Sequence, residues 1–113
     1  MAEDRHLLVR MNQCIGHVQQ FAKRGRSEFV GNLMLQHAVL WNIQLVSVAA
    51  RHLSDEAREM HPDVDWKRVE RLCHDVIGDP WDVRAERVWE CINGELPALK
   101  HQIREIILER QVK

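Results

Sequence analysis

The run from Leu33 to His52, LMLQHAVLWNIQLVSVAARH, decides the fold class. Leu35, Ala38, Val39, Trp41, Leu45, Val46, Ala49 and Ala50 recur at three- and four-residue steps, which is helical spacing, and they cover more than one face. A helix apolar on two sides packs against its own bundle on one of them and is free to meet a partner on another. Upstream, Leu7, Leu8, Met11, Cys14, Ile15, Val18, Phe21 and Ala22 give a second amphipathic helix, closed by Lys23-Arg24-Gly25-Arg26-Ser27. Gly25 and Gly31 frame a segment expected to turn, with Ser27 and Phe29 inside it. Downstream, Ser54-Asp55-Glu56 reads as an N-cap with acidic residues at the positive end of a short helix that stops before Pro62.

Three more starts follow. Asp63 or Asp65 caps a helix carrying Trp66, Val69, Leu72, Cys73 and Val76, and Gly78-Asp79-Pro80 breaks it. Asp82 is expected to open a helix with Val83, Val88, Trp89 and Ile92, ended by a left-handed cap at Asn93-Gly94. Pro97 suits the first turn of a last helix through Leu99, Ile103, Ile106 and Ile107. No segment alternates at period two and no repeat appears. The class is all-α, a bundle of four or five helices formed by one domain over residues 1–113.

With 113 residues the chain hides about two-thirds of the surface its unfolded form exposes, so it needs neither disulfide nor structural metal for stability. Sixteen Lys plus Arg against 17 Asp plus Glu leave a net charge of −1, which excludes a general polyanion binder. Contact with RNA then requires a local basic patch. Cys14, Cys73 and Cys91 are odd in number and form no CxxC, which fits reduced thiols. The acidic start Met-Ala-Glu-Asp-Arg-His is unlike a signal peptide, and no run reaches the roughly 18 uncharged apolar residues of a membrane span. The expected place is the cytosol, away from membranes.

Common chemistries find little support. Cys14 and His17 are one helical step apart and Cys73 and His74 are adjacent, but neither pair has a second half, so no metal or other cofactor is expected. GxSxG, a Gly-rich phosphate loop and HExxH are all missing. Lys67, Arg68 and Arg71 cluster ahead of His74, with Arg84 and Arg87 beyond the break. Guanidinium groups that grip a phosphate beside an imidazole that moves a proton are what metal-free RNA cleavage requires. A solvated helix face has the same composition.

Taken in order, Ser27-x-Phe29, Ala38-Val39-x-Trp41-Asn42-Ile43-Gln44, Ala49-Ala50-Arg51-x-Leu53-Ser54, His61-Pro62-x-x-x-Trp66, Val88-Trp89 and Leu96-Pro97-x-Leu99 resemble the HepT-like branch of the HEPN superfamily. The resemblance runs over nearly the whole chain. It implies a small helical bundle that pairs as a homodimer, with a ribonuclease site at the dimer cleft. It further implies a toxin–antitoxin setting in which the partner is a minimal nucleotidyltransferase antitoxin.

The family's active motif is an arginine, four to six residues, a histidine, one residue and a tyrosine. The resemblance places the arginine at Cys73, the histidine at Gly78 and the tyrosine at Pro80. Trp66 and Trp89 stand 23 residues apart, the family's spacing, so no gap shifts the register. It also places an arginine at Trp41 and a glutamate at Val48, both expected to face the same cleft. These replacements turn a charged, phosphate-sized cleft into an apolar surface suited to protein packing. The chain has no tyrosine at all, so none can accept a nucleotide from an antitoxin.

The leading expectation is therefore a non-catalytic, dimeric, protein-binding member of the family, with Trp41 as an interface anchor. The alternative is an active, metal-independent endoribonuclease toxin in which Arg68 or Arg71 holds the phosphate and His74 serves as acid or base. Arg68 and His74 are six apart, which on a helix separates them by about 120° around the axis, so they would have to converge across a dimer axis. A third reading is RNA binding without cleavage through Lys67, Arg68, Arg71, Arg84 and Arg87. Trp66 and Trp89 are expected in the core, and Trp81 over a loop.

Overall fold

The apolar spacings resolve into seven helices: α1 (Ala2–Ala22), α2 (Arg26–Gly31), α3 (Leu33–His52), α4 (Asp55–Met60), α5 (Trp66–Ile77), α6 (Ala85–Asn93) and α7 (Glu95–Val112). The computed structural model describes the backbone of residues 2–112 and the side chains of residues 3–109, and no strand occurs among them. Five helices of 9 to 21 residues form the bundle, and the six-residue α2 and α4 join them. The class is all-α.

α3 is central, packed along α1 on one side and α5 on the other, while α7 lies against α1. Its inward stripe, Val39, Ile43, Val46 and Ala50, is fully buried, and Leu8, Met11, Ile15 and Val18 of α1 meet it at the same three–four spacing. Each of these side chains other than Ala50 contributes roughly 1.5–3 kcal/mol by leaving water. α3 and α5 are also joined by polar contacts. Ser47 Oγ, buried in the interface, donates to the Val69 carbonyl at 2.9 Å and accepts from the Cys73 N–H at 3.2 Å. By length and hydropathy alone α3 could cross a bilayer, which corrects the sequence expectation that no run comes near. Its buried polar residues Gln36 and Ser47 are uncharged and are satisfied inside the bundle.

Side-chain caps set the boundaries. Asn32, Ser54 and Asp65 accept from the N–H groups of Leu35, Ala57 and Arg68 at 3.0, 3.1 and 3.2 Å. Gly78 ends α5 at φ 64°, a conformation that a side chain would strain.

Three local expectations are corrected. The segment between Gly25 and Gly31 is helix α2 rather than a turn, because Phe29 is fully buried and packs on Trp89 with ring centroids 5.5 Å apart. α6 begins at Ala85 rather than at Asp82. Asp79 holds the preceding residues in a turn, its side chain accepting from Trp81 N–H and its carbonyl from Asp82 N–H, both at 2.9 Å. Gly94 has φ −121°, so it is no left-handed cap, and its carbonyl already accepts from Ala98 to start α7.

Candidate functional site

Position 41 stands on the outward face of α3, where Trp41 is 63% exposed. With His37, Leu40, Gln44, Cys73 and Ile77 it borders a shallow, mainly apolar groove of about 280 Å³ between α3 and α5. A second hollow shares His37, Leu40 and Ile77 and extends the same face to Pro80 and the exposed Trp81. Trp41, Cys73 and Pro80 are thus brought to one continuous surface. Val48 is not. It borders a separate groove between α1 and α3 of the same chain. The outward stripe of α3 forms a crest, with Trp41 on its α5 side and Val48 on its α1 side.

Positions 73, 78 and 80 carry no ready acid, base or cation. Cys73 is buried, its thiol lies 3.8 Å from the Leu40 carbonyl as a weak donor, and burial pushes its pKa up, so it stays a neutral thiol. Gly78 has no side chain, and Pro80, exposed, has neither N–H nor titratable group. His37, exposed on the groove edge, is the imidazole that does stand beside Trp41. Its spacing of four from Trp41 was legible in the sequence, though nothing in composition singled it out.

The basic set on α5 and α6 is differently placed. Arg68 and Arg87 both donate to Glu95, at 3.2 and 2.9 Å, and that hydrogen bond raises the Arg87 pKa further. One carboxylate thereby occupies two of the guanidinium groups proposed for phosphate. Lys67, Arg68 and Arg71 border a shallow hollow together with Asp65 and Asp75, and these carboxylates offset the positive field there. His74 is exposed on the last turn of α5, and Arg84 is exposed at the start of α6. Within one chain the structure does not bring Arg68 and His74 together.

Among the described residues no group of three or more His, Cys, Asp or Glu is arranged to hold a metal ion. Cys14 and His17 border the same groove, but burial raises the Cys14 thiol and His17 hydrogen-bonds to Asn42 at 3.3 Å. Cys73 is buried while its neighbour His74 is exposed.

The family model described as "Ribonuclease HepT-like" matches residues 11–106. A protein of Caldanaerobacter subterraneus subsp. tengcongensis named "Putative RNase TTE0752" is 30% identical over 80 residues, covering 71% of each chain. "Putative RNase MJ1380" of Methanocaldococcus jannaschii is 25% identical over 68% of this chain and 71% of its own length. "Probable ribonuclease HepT" of Thermococcus cleftensis is 19% identical over 70% of this chain and 72% of its own. No solved structure matches the chain.

Proposed function

This chain belongs to the HepT-like ribonuclease family, and we propose that within it the chain is a non-catalytic member, dimeric and protein-binding, of toxin–antitoxin type. The observation that carries this reading is the chemistry at positions 73, 78 and 80. A buried neutral thiol, a bare glycine and a proline stand where the resemblance would put arginine, histidine and tyrosine. Metal-free RNA cleavage needs a proton-transferring group and a cation that stabilises the phosphorane charge, and those three side chains supply neither.

What the surface offers instead is apolar contact. Leu33, Met34, Trp41 and Trp81 are 64%, 83%, 63% and 95% exposed on or beside one face. An exposed apolar area with two tryptophans suits a protein interface better than a phosphate backbone. The second subunit of a homodimer is the occupant this reading assigns to it, and a minimal nucleotidyltransferase is the further partner.

The test is RNA hydrolysis by the purified chain in the presence of chelator. The expected result is no cleavage above buffer. Cleavage that His74→Ala abolishes would replace this reading with the endoribonuclease one, with Arg68 or Arg71 and His74 acting across a dimer axis.

A further inference from the structure

The groove between α1 and α3 has a chemistry of its own. The two helices run antiparallel and are tied at both ends. Asp4 accepts from the Ser54 N–H and hydroxyl at 2.9 and 2.7 Å, and His17 meets Asn42 at the far end. Between these ties lies a hollow of about 460 Å³. Its floor is apolar, formed by Leu7, Leu45, Val48, Ala49 and Cys14, whose raised pKa keeps the thiol uncharged. Its rim at one end carries the Arg10 guanidinium and two imidazoles, His6, which accepts from Arg10, and His52, whose Nδ1 lies 2.8 Å from the Val48 carbonyl.

Among the described residues no carboxylate lines this groove, and Asp4 at its end is hydrogen-bonded to Ser54. Arg58, Arg68 and Arg87 are each paired with a glutamate, whereas Arg10 donates to the His6 ring, at 3.2 Å, and has no ion pair with a carboxylate among the described residues. That bond steadies the guanidinium through Nε and leaves its terminal N–H groups to an incoming acceptor. Val48 matters for the same reason. The resemblance would put a glutamate at this place, and a carboxylate in the floor would repel an anion that valine admits.

We propose that the α1–α3 groove binds a small amphipathic organic anion, its acidic head on Arg10, His6 and His52 and its apolar body on the floor around Leu45 and Val48. The head is a phosphate monoester or a carboxylate, since a guanidinium fork pairs with either. The body is apolar because Leu7, Leu45, Val48 and Ala49 lie between the head and the polar residues Gln13, His17 and Asn42 that also line the groove. His6 and His17, eleven residues apart on α1, bound the groove at about 16 Å, which leaves room for a body of one ring or more beyond the head. Of the positions the resemblance singles out, the inference uses Val48 and none of Trp41, Cys73, Gly78, Pro80 or His74, and its binding test reads no RNA cleavage.

The test is a titration of the isotope-labelled full chain with phenyl phosphate, followed by amide chemical shifts. The expected result is saturable shifts confined to α1 and α3, with Arg10→Gln weakening binding by about tenfold or more and Val48→Glu doing the same. Both positions reach solvent, and unchanged shifts elsewhere would report that each variant folds. Benzoate run in parallel identifies the head group. Inorganic phosphate and benzyl alcohol, each lacking one half of the ligand, should bind at least about tenfold more weakly than phenyl phosphate. Absence of saturation by about 10 mM, equal binding by Arg10→Gln, equal binding of benzyl alcohol, or shifts located on α5 would each overturn the proposal.

Discussion

Two faces of α3 carry large apolar side chains and are opposite in use. Inward, Val39, Ile43, Val46 and Ala50 are fully buried between α1 and α5, and Ser47 is hydrogen-bonded across to α5. Outward, Met34 and Trp41 are 83% and 63% exposed, with Leu45 and Val48 half-buried beside them. The inner face is consumed by folding. The outer one contributes little to it, and that leaves it available for recognition. A helix with apolar residues all round therefore serves two purposes that mutation can separate.

The sharpest way to break the comparison is on the inside. Ile43→Ala leaves a cavity at the centre of the bundle and should cost about 2–5 kcal/mol, read from urea unfolding, whereas Met34→Ala on the outside should stay within about 0.5 kcal/mol. A comparable loss at both would erase the distinction. Ser47→Ala removes the hydroxyl that joins α3 to α5, but Val69 and Cys73 keep their helical hydrogen-bonding options, so the expected cost is about 1 kcal/mol by the same measurement.

A smaller, pH-dependent effect belongs to the brace behind α3. Arg58 donates to the Ala50 carbonyl at the end of α3 and to Glu70 on α5, at 2.5 and 2.6 Å. That hydrogen bond holds the Glu70 pKa below its usual value of 4.5, with the Arg58 charge adding to it. A carboxyl whose folded pKa is depressed contributes stability above the unfolded value and loses it as pH falls through the folded one. Unfolding midpoints of Glu70→Gln should therefore decline less steeply than those of the parent as pH drops from about 5 to about 3. The smallest effect on folding is expected at Trp41→Arg, within about 0.5 kcal/mol, while sedimentation velocity should show weakened self-association. Unchanged sedimentation would remove Trp41 from the interface.

Much of this architecture was legible in the chain because its strongest signals are local. The limits of α3, the Ser54 cap and the burial of Trp66 all follow from spacing and end chemistry within a few residues, and of the two candidate caps Asp63 and Asp65 the structure takes Asp65. Helix α2 was not legible, since six residues are too few for a period to declare itself, and its order comes from Phe29 meeting Trp89 sixty residues later. The site divides in the same way. The residues at positions 41, 48, 73, 78 and 80 could be read directly, but the separation of Trp41 and Val48 into different grooves could not. It depends on which neighbour each side of α3 packs against. Nor could the meeting of Arg10 and His6 with His52, which the antiparallel pairing of α1 and α3 brings about.

The four tryptophans occupy unlike surroundings: Trp66 is buried with its indole N–H donating to the His61 carbonyl at 3.0 Å, Trp89 is half-buried on Phe29, and Trp41 and Trp81 face water. With no tyrosine to contribute, the ultraviolet emission of this molecule comes from indole alone. A collisional quencher such as iodide will reach the outer pair and spare the inner one. Anything that settles on the outward face will shield that pair and shift their light to the blue, so the protein comes already labelled for the search for whatever it binds.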